Sequence, residues 1–382
     1  MAGPGDLLSR DLRANPAYEL MLFDRLPPGE REALAPLWND PGFYGVLRPR
    51  EGGARLGVKS VDRETALLFL TLREPGPLPS YVRTVLGSET VRTVSRLVAD
   101  GILEVERGGA FVSGPAAFEG AAGEAGRGRL AELSAAALRY GQALAVDDPL
   151  TLSFRLYGYN HRPLTPGWKR LLASAEAVQE HLGIAFGGAH RRLLDRVWTP
   201  LEPSEAWLSW RLRSGESSSR PDGATFKLYV SPMPEALGES FGAILDAFAA
   251  ARAPHFKIGA GAAGLLRADK IVAYFPDFER LAGAADAIAS RLGGVPVQGV
   301  PFTSEIAGEG LLSWGADPPA GSGIRGRSES WRLWLTHRLA RALLDARAAG
   351  AAEPWRFAVE RVRLEGVDPE TWTPRALLRR EV

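Results

Sequence analysis

Five short segments of this 382-residue chain alternate with a period of two; each puts basic side chains on its polar side, and three add tyrosine there. In residues 152–160, Leu152, Phe154 and Leu156 oppose Arg155, Tyr157 and Tyr159. In 207–213, Leu208, Trp210 and Leu212 oppose Ser209, Arg211 and Arg213. In 225–231, Phe226, Leu228 and Val230 oppose Thr225, Lys227 and Tyr229. In 255–259, Phe256 and Ile258 oppose His255 and Lys257. In 270–275, Ile271, Ala273 and Phe275 oppose Lys270 and Tyr274.

A single strand of this kind is explained by solvation, since Lys, Arg and Tyr keep an open sheet face soluble. Five with almost no acid among them are not; Asp269 alone stands at a strand edge. A floor of Arg, Lys, His and Tyr suits a multiply charged anion, because each guanidinium or ammonium adds a charge-assisted hydrogen bond. The amphipathic segments 235–251 and 278–292 fall between the strands and can cover their apolar side.

Other chemistries find no support. With no cysteine, the chain has no disulfide, thiol nucleophile or cysteine metal site, which fits a cytoplasmic protein. No Gly-rich phosphate loop ending in Lys-Ser or Lys-Thr occurs, and the glycines of 259–264 fit no dinucleotide fingerprint. The five histidines lack metal spacing, and no Gly-x-Ser-x-Gly elbow is present, so no cofactor is expected. The formal net charge of +1 gives no global field for nucleic acid or an anionic membrane. The start of the chain lacks an apolar secretory core, and no apolar stretch is long enough to span a bilayer.

The expected fold is α+β: an N-terminal winged-helix-like module, then a larger α/β domain with a mainly antiparallel sheet and helices on one face. Residues 1–41 read as an extension with a short helix at 28–38. The module occupies 42–115. It opens with strands at 44–48 and 54–60 split by a turn at Glu51, Gly52 and Gly53. Helices at 63–72 and 81–86 follow, then one opened by Ser88 and ended by Asp100 and Gly101, and a hairpin turns at Gly108 and Gly109. Residues 116–129 read as a Gly/Ala/Glu-rich linker, and 130–382 as the α/β domain. The helix around Arg92 and Arg96 also carries Glu89 and Asp100, a poor face for phosphate backbones, and no nucleic-acid partner is expected.

Residues 226 to about 319 resemble the phosphothreonine lyases of type III secretion effectors and the related lyase subunits of class V lanthipeptide synthetases. Phe226-Lys227-Leu228-Tyr229-Val230 and the long segment after it resemble the family's first catalytic strand and helix. His255-Phe256-Lys257-Ile258 resembles the strand that carries its catalytic lysine. Arg267 and Tyr274 resemble its phosphate-binding arginine and tyrosine, and the stretch from Pro301-Phe302-Thr303 to Asp317-Pro318 is similar to the late segment of the lanthipeptide enzymes. The front module, through 44–60, 66–72 and 91–104, resembles a RiPP recognition element, in which a wing and a helix clamp a leader peptide as an added strand.

The resemblance implies β-elimination of phosphate from phosphoserine or phosphothreonine in a precursor peptide, supplied by a separate kinase subunit, with a further synthetase subunit as a possible partner. It makes Lys257 the base, with Lys227 and His255 beside it. Arg155, Arg211, Arg213, Arg267, Lys270, Tyr229 and Tyr274 are the phosphate-binding set. Two departures stand out. The family's acid is a histidine on the first strand, where this chain has Lys227. The effectors' late arginine pair has no counterpart, the corresponding strand reading Leu311-Leu312-Ser313-Trp314. Burial and neighbouring cations both favour a neutral lysine, as such a base needs. Two other functions fit the same residues. One is an aromatic prenyltransferase of the ββαα barrel type, whose lumen holds a diphosphate on Lys-x-Tyr strands. The other is a non-catalytic subunit that binds leader or phosphopeptide.

Overall fold

The computed structural model describes residues 7–37, 40–50, 57–120, 126–213, 226–307, 309–318 and 329–375. The chain divides into two compact units, Met1–Gly123 with Asp345–Glu365, and Glu124–Leu344 with Gly366–Val382. Both mix helices with antiparallel sheets, and the class is α+β.

The first unit holds two three-stranded sheets. Strands β2 (Tyr18–Leu22), β3 (Gly45–Pro49) and β4 (Lys59–Val61) form one; β1 (Leu12–Ala14), β5 (Leu103–Arg107) and β6 (Ala110–Val112) form the other. Helix α1 (Pro28–Leu34) lies between β2 and β3 in sequence, and α2 (Arg63–Thr71), α3 (Ser80–Leu86) and α4 (Thr90–Ala99) precede the β5–β6 wing. The wing turns on Gly108 and Gly109, both at positive φ, as a tight hairpin turn requires. Asp62 caps α2 by accepting from the Thr65 amide at 2.7 Å.

Within the N-terminal stretch read as an extension, β1 and β2 join these sheets: Leu12 pairs with Val105, and Leu20 with Leu47. A three-residue strand shows too little alternation to be recognised alone. Ser88 lies in a 3-10 turn, Gly87–Glu89, and makes no side-chain cap. The turn expected at 51–53 lies outside the described residues, as do part of the 116–129 stretch and Thr225.

The second unit contains a seven-stranded sheet in which every neighbouring pair is antiparallel. Its helices and strands in chain order begin with α5 (Arg129–Ala143), α6 (Pro149–Tyr157), α7 (Pro166–Leu171), α8 (Ala175–His181) and α9 (Arg191–Val197). Then come β7 (Trp198–Pro200), β8 (Trp207–Leu212), β9 (Phe226–Val230), α10 (Pro234–Ala250), β10 (His255–Gly259), α11 (Ala262–Leu265), β11 (Ile271–Phe275) and α12 (Phe278–Arg291). Strands β12 (Ser304–Ala307) and β13 (Leu312–Gly315) and helix α13 (Trp331–Ala348) follow. The strand order is β12-β13-β9-β11-β10-β8-β7.

The apolar side of this sheet forms the core with α10 and α12. Leu228, Val230, Phe256, Ile258, Ile271, Ala273 and Phe275 pack with Phe241, Ile244, Phe248 and Ile288. Phe256 is the hub, its ring 5.1 Å from Trp198 and Trp210 and 5.5 Å from Phe248.

One of the five expected strands is a helix. Residues 149–157 are α6, begun by Pro149 at its first turn and by Asp148, whose carboxylate accepts from the Thr151 amide at 2.6 Å. Leu152 and Leu156 share one face at i and i+4 as well as alternating, and the cap decides between the two periods. Among the described residues no helix is long and apolar enough to cross a membrane.

Candidate functional site

Antiparallel register sets side chains opposite one another across the sheet. Arg211 faces His255, His255 faces Tyr274, Tyr274 faces Lys227, and Lys227 faces Gly315, forming one row across five strands. The next row on the same face runs Ser209, Lys257, Val272, Tyr229 and Ser313. Parity thus brings both lysines, the histidine and the tyrosine to the face opposite the apolar core.

Aromatic rings organise these cations. His255 stacks on Tyr274 with ring centroids 4.7 Å apart. The Lys257 ammonium lies 4.2 Å from the centre of the Trp207 ring and 5.7 Å from that of Tyr274. The Arg267 guanidinium lies 4.8 Å from the same Trp207 ring. Trp207 therefore carries two cations, a cation–π arrangement that holds them together despite their like charge.

Arg267 is held from behind. Its Nε donates to Asp269 Oδ1 at 2.8 Å, and its Nη2 donates to Asp269 Oδ2 at 3.0 Å and to the Tyr157 hydroxyl at 3.1 Å. The Tyr157 hydroxyl donates to Asp269 Oδ2 at 2.8 Å. Arg332, from α13, places Nη1 2.9 Å from Asp269 Oδ2. Asp269 is buried, and burial alone would raise its pKa; the Arg332 charge, then the bonds and charge of Arg267, reverse this and hold the carboxyl well below the usual range.

The two lysines differ. Lys227 is buried and ion-paired with the half-exposed Asp317 carboxylate. Among the described residues Lys257 has no hydrogen-bond or ion-pair partner, only the two rings. Burial, and then the charges of Lys227 and Arg267, push its ammonium down to about 8, against the opposing pull of Asp269. His255 is pushed down to about 4, mainly by burial and then by Lys257 and Arg211, so its ring is neutral at pH 7, and its Nε2 is buried without a partner among the described residues. Burial, with Asp317 behind it, raises the Tyr274 phenol.

Of the residues the sequence singled out, Lys227, His255, Lys257, Arg267 and Tyr274 come together. Arg211 ends the row at an exposed position, and Arg213 is exposed just beyond β8. Tyr229 shares the face but is buried beneath it. Arg155 does not join them: it sits exposed on α6. Lys270 ties loops together, its ammonium donating to the Pro232 carbonyl at 2.8 Å and to Gln298 Oε1 at 2.7 Å, and its full burial puts it out of a ligand's reach. Trp207, Asp317, Tyr157 and Arg332 join the site although the sequence assigned none of them to it; Tyr157 was placed on the polar side of an expected strand and Asp317 only in the late segment of the resemblance. Parity places Trp207 with Ser209 and Arg211 and was the one legible signal; the other three come from segments remote in sequence. Among the described residues no cluster of His, Asp and Glu could hold a metal ion.

No family model and no curated protein matches the chain. It is similar to an effector protein from Pseudomonas syringae pv. tomato strain DC3000, at 12% identity and a TM-score of 0.39 over 64% of this chain and 96% of that one. It is also similar to an effector protein from Pseudomonas syringae pv. syringae strain 61, at 11% identity and a TM-score of 0.41 over 64% of this chain and 97% of that one.

Proposed function

We propose that the protein is a phosphoserine/phosphothreonine lyase that converts a phosphorylated precursor peptide into its dehydroamino acid, as in lanthipeptide biosynthesis. The observation that carries this reading is Lys257: an unpaired lysine, pushed down to about 8, among cations that each have a fixed place. Lys257 takes the Cα proton. The electron pair becomes the Cα–Cβ double bond, and the Cβ–O bond breaks. Phosphate leaves with the electrons of the broken Cβ–O bond, and the Lys227 ammonium gives a proton to the departing oxygen. Arg267 and Arg211 supply charge to the phosphate dianion. A base and an acid held in this way contribute about 10²–10⁴-fold each.

The barrel alternative is not favoured, because among the described residues the ladder is open, with β12 and β7 at its ends. A non-catalytic phosphopeptide-binding subunit uses the same cations but has no need of a lysine whose ammonium gives up its proton more readily than usual. The chain carries no kinase signature, so the phosphopeptide comes from a separate kinase subunit, with a further synthetase subunit as a possible partner and the cytoplasm as the compartment. The module at 42–115 binds the unphosphorylated leader segment by strand addition, where main-chain hydrogen bonds give affinity.

Two experiments test this. Incubating the protein with a phosphothreonine peptide and weighing the product must show loss of phosphoric acid, and Lys257→Ala must abolish it. Titrating the full chain with leader peptide must give saturable binding; none at high micromolar concentrations removes the leader-binding role.

A further inference from the structure

Arg332 is 1% exposed, one of the largest fully buried side chains described, and its donors are directed inward. Its Nε donates to the Pro301 carbonyl at 3.1 Å, its Nη2 to the Tyr157 carbonyl at 2.9 Å, and its Nη1 pairs with Asp269. The guanidinium also lies 4.4 Å from the centre of the Tyr157 ring. Arg332 thus grips Tyr157 by its backbone and ring, and Asp269 by its carboxylate. These are the two residues that hold Arg267.

Burying a guanidinium and a carboxylate costs several kcal/mol per ion, and well-packed apolar side chains often serve stability as well or better. What apolar side chains cannot do is present a second guanidinium at a fixed angle. The Asp269 fork and the Tyr157 hydroxyl engage Arg267 through Nε and Nη2 and leave Nη1 outside those bonds. The planar guanidinium is then held against Trp207 on the side of Lys257.

We propose that Arg332 is a positioning residue: by fixing Asp269 and Tyr157 it orients the Arg267 guanidinium over Trp207 for the phosphate of the substrate. The claim rests on the lyase-site reading for the identity of the anion. Arg332 is too deeply buried to touch substrate, yet it governs how tightly the phosphate is held. Loss of this support frees Arg267 to swing between Asp269 and solvent.

The test compares wild type with Arg332→Lys, Tyr157→Phe, Arg267→Ala and the double variant Tyr157→Phe/Arg267→Ala. Calorimetry measures affinity for a phosphothreonine peptide and its unphosphorylated twin, and phosphate release gives kcat and KM. Arg332→Lys and Tyr157→Phe should each weaken the phosphopeptide about ten-fold, as for an impaired charge-assisted contact. KM should rise while kcat stays within a few-fold, and the unphosphorylated peptide should bind as before. The double variant should be no weaker than Arg267→Ala, since the tyrosine acts through the arginine. Wild-type affinity in both single variants, or fully additive losses in the double, overturns the proposal. If Arg332→Lys fails to fold, Tyr157→Phe, which removes one oxygen, carries the test. A wild type that binds the phosphopeptide but never releases phosphate removes the lyase reading, and the affinity series still decides the positioning role. A wild type indifferent to the phosphate removes both.

Discussion

Lys257 and Lys227 stand on the two strands that flank β11 and share one ring: their ammonium nitrogens lie 5.7 and 5.8 Å from the centre of Tyr274. Among the described residues, of the two lysines only Lys227 has a carboxylate, Asp317, at ion-pair distance. Two chemically identical side chains therefore have different environments, and each environment suits one half of a proton-transfer reaction: a free amine to accept, an anchored ammonium to donate.

The first prediction follows from Lys257 being pushed down to about 8. A lysine base works only unprotonated, so kcat/KM for elimination should climb with pH and level off above about 8. The groups facing it are Lys227 from β9, His255 on its own strand, Tyr274 from β11, and Arg267 and Asp269 from the turn before β11. Asp269 is the one of these that favours the charged lysine, so Asp269→Asn should move the rising limb to lower pH. A limb that stays put or moves up in that variant contradicts the assignment.

Trp207 gives a test in the opposite direction. Its ring attracts the Lys257 ammonium, a cation–π effect of about 0.5–1 kcal/mol that favours the charged form. It also keeps water away, and burial is the largest cause of the lowered value. Taking the loss of this burial to outweigh the loss of the ring's attraction, Trp207→Ala should let water in and shift the rising limb to higher pH. Elimination at pH 7 should fall with it. Titration of the limb by phosphate release measures the shift, and a move toward lower pH would show that the ring's attraction dominates.

Asp269 also bears on stability. Its carboxyl is held far below the ordinary 3.8 in the folded chain, so its contribution is fully present above that value and drains away as pH falls below it. Asp269→Asn leaves Arg332 buried without its counter-charge, a change that costs about 3–5 kcal/mol. Urea unfolding at neutral pH should show a loss of that size, and the gap between variant and wild type should narrow in acid. A loss below about 1 kcal/mol would show that the buried pair contributes little.

How much of this was legible in the sequence follows from how far each signal reaches. Strands β8, β9, β10 and β11 were readable because alternation is local, and parity alone put Lys227, His255, Lys257 and Tyr274 on one face. Residues 149–157 misled because Leu152 and Leu156 satisfy both periods, and the deciding cap, Asp148, lies outside the alternating stretch. Lys270 misled for a different reason: parity assigns a face to a side chain but not its depth, and a loop carbonyl and Gln298 claim this one. Arg332 and Asp317 had no local signature, since they meet the site across 63 and 90 residues of chain respectively, counted from Asp269 to Arg332 (332 − 269) and from Lys227 to Asp317.

The central claim is tested most directly by the mass of a phosphothreonine peptide after incubation with wild type and with Lys257→Ala. Wild type should release phosphate and leave the dehydrated residue. Lys257→Ala should leave the peptide intact while binding it within a few-fold of wild type. Dehydration by Lys257→Ala at the wild-type rate, or none by wild type in the presence of tight phosphopeptide binding, would contradict it.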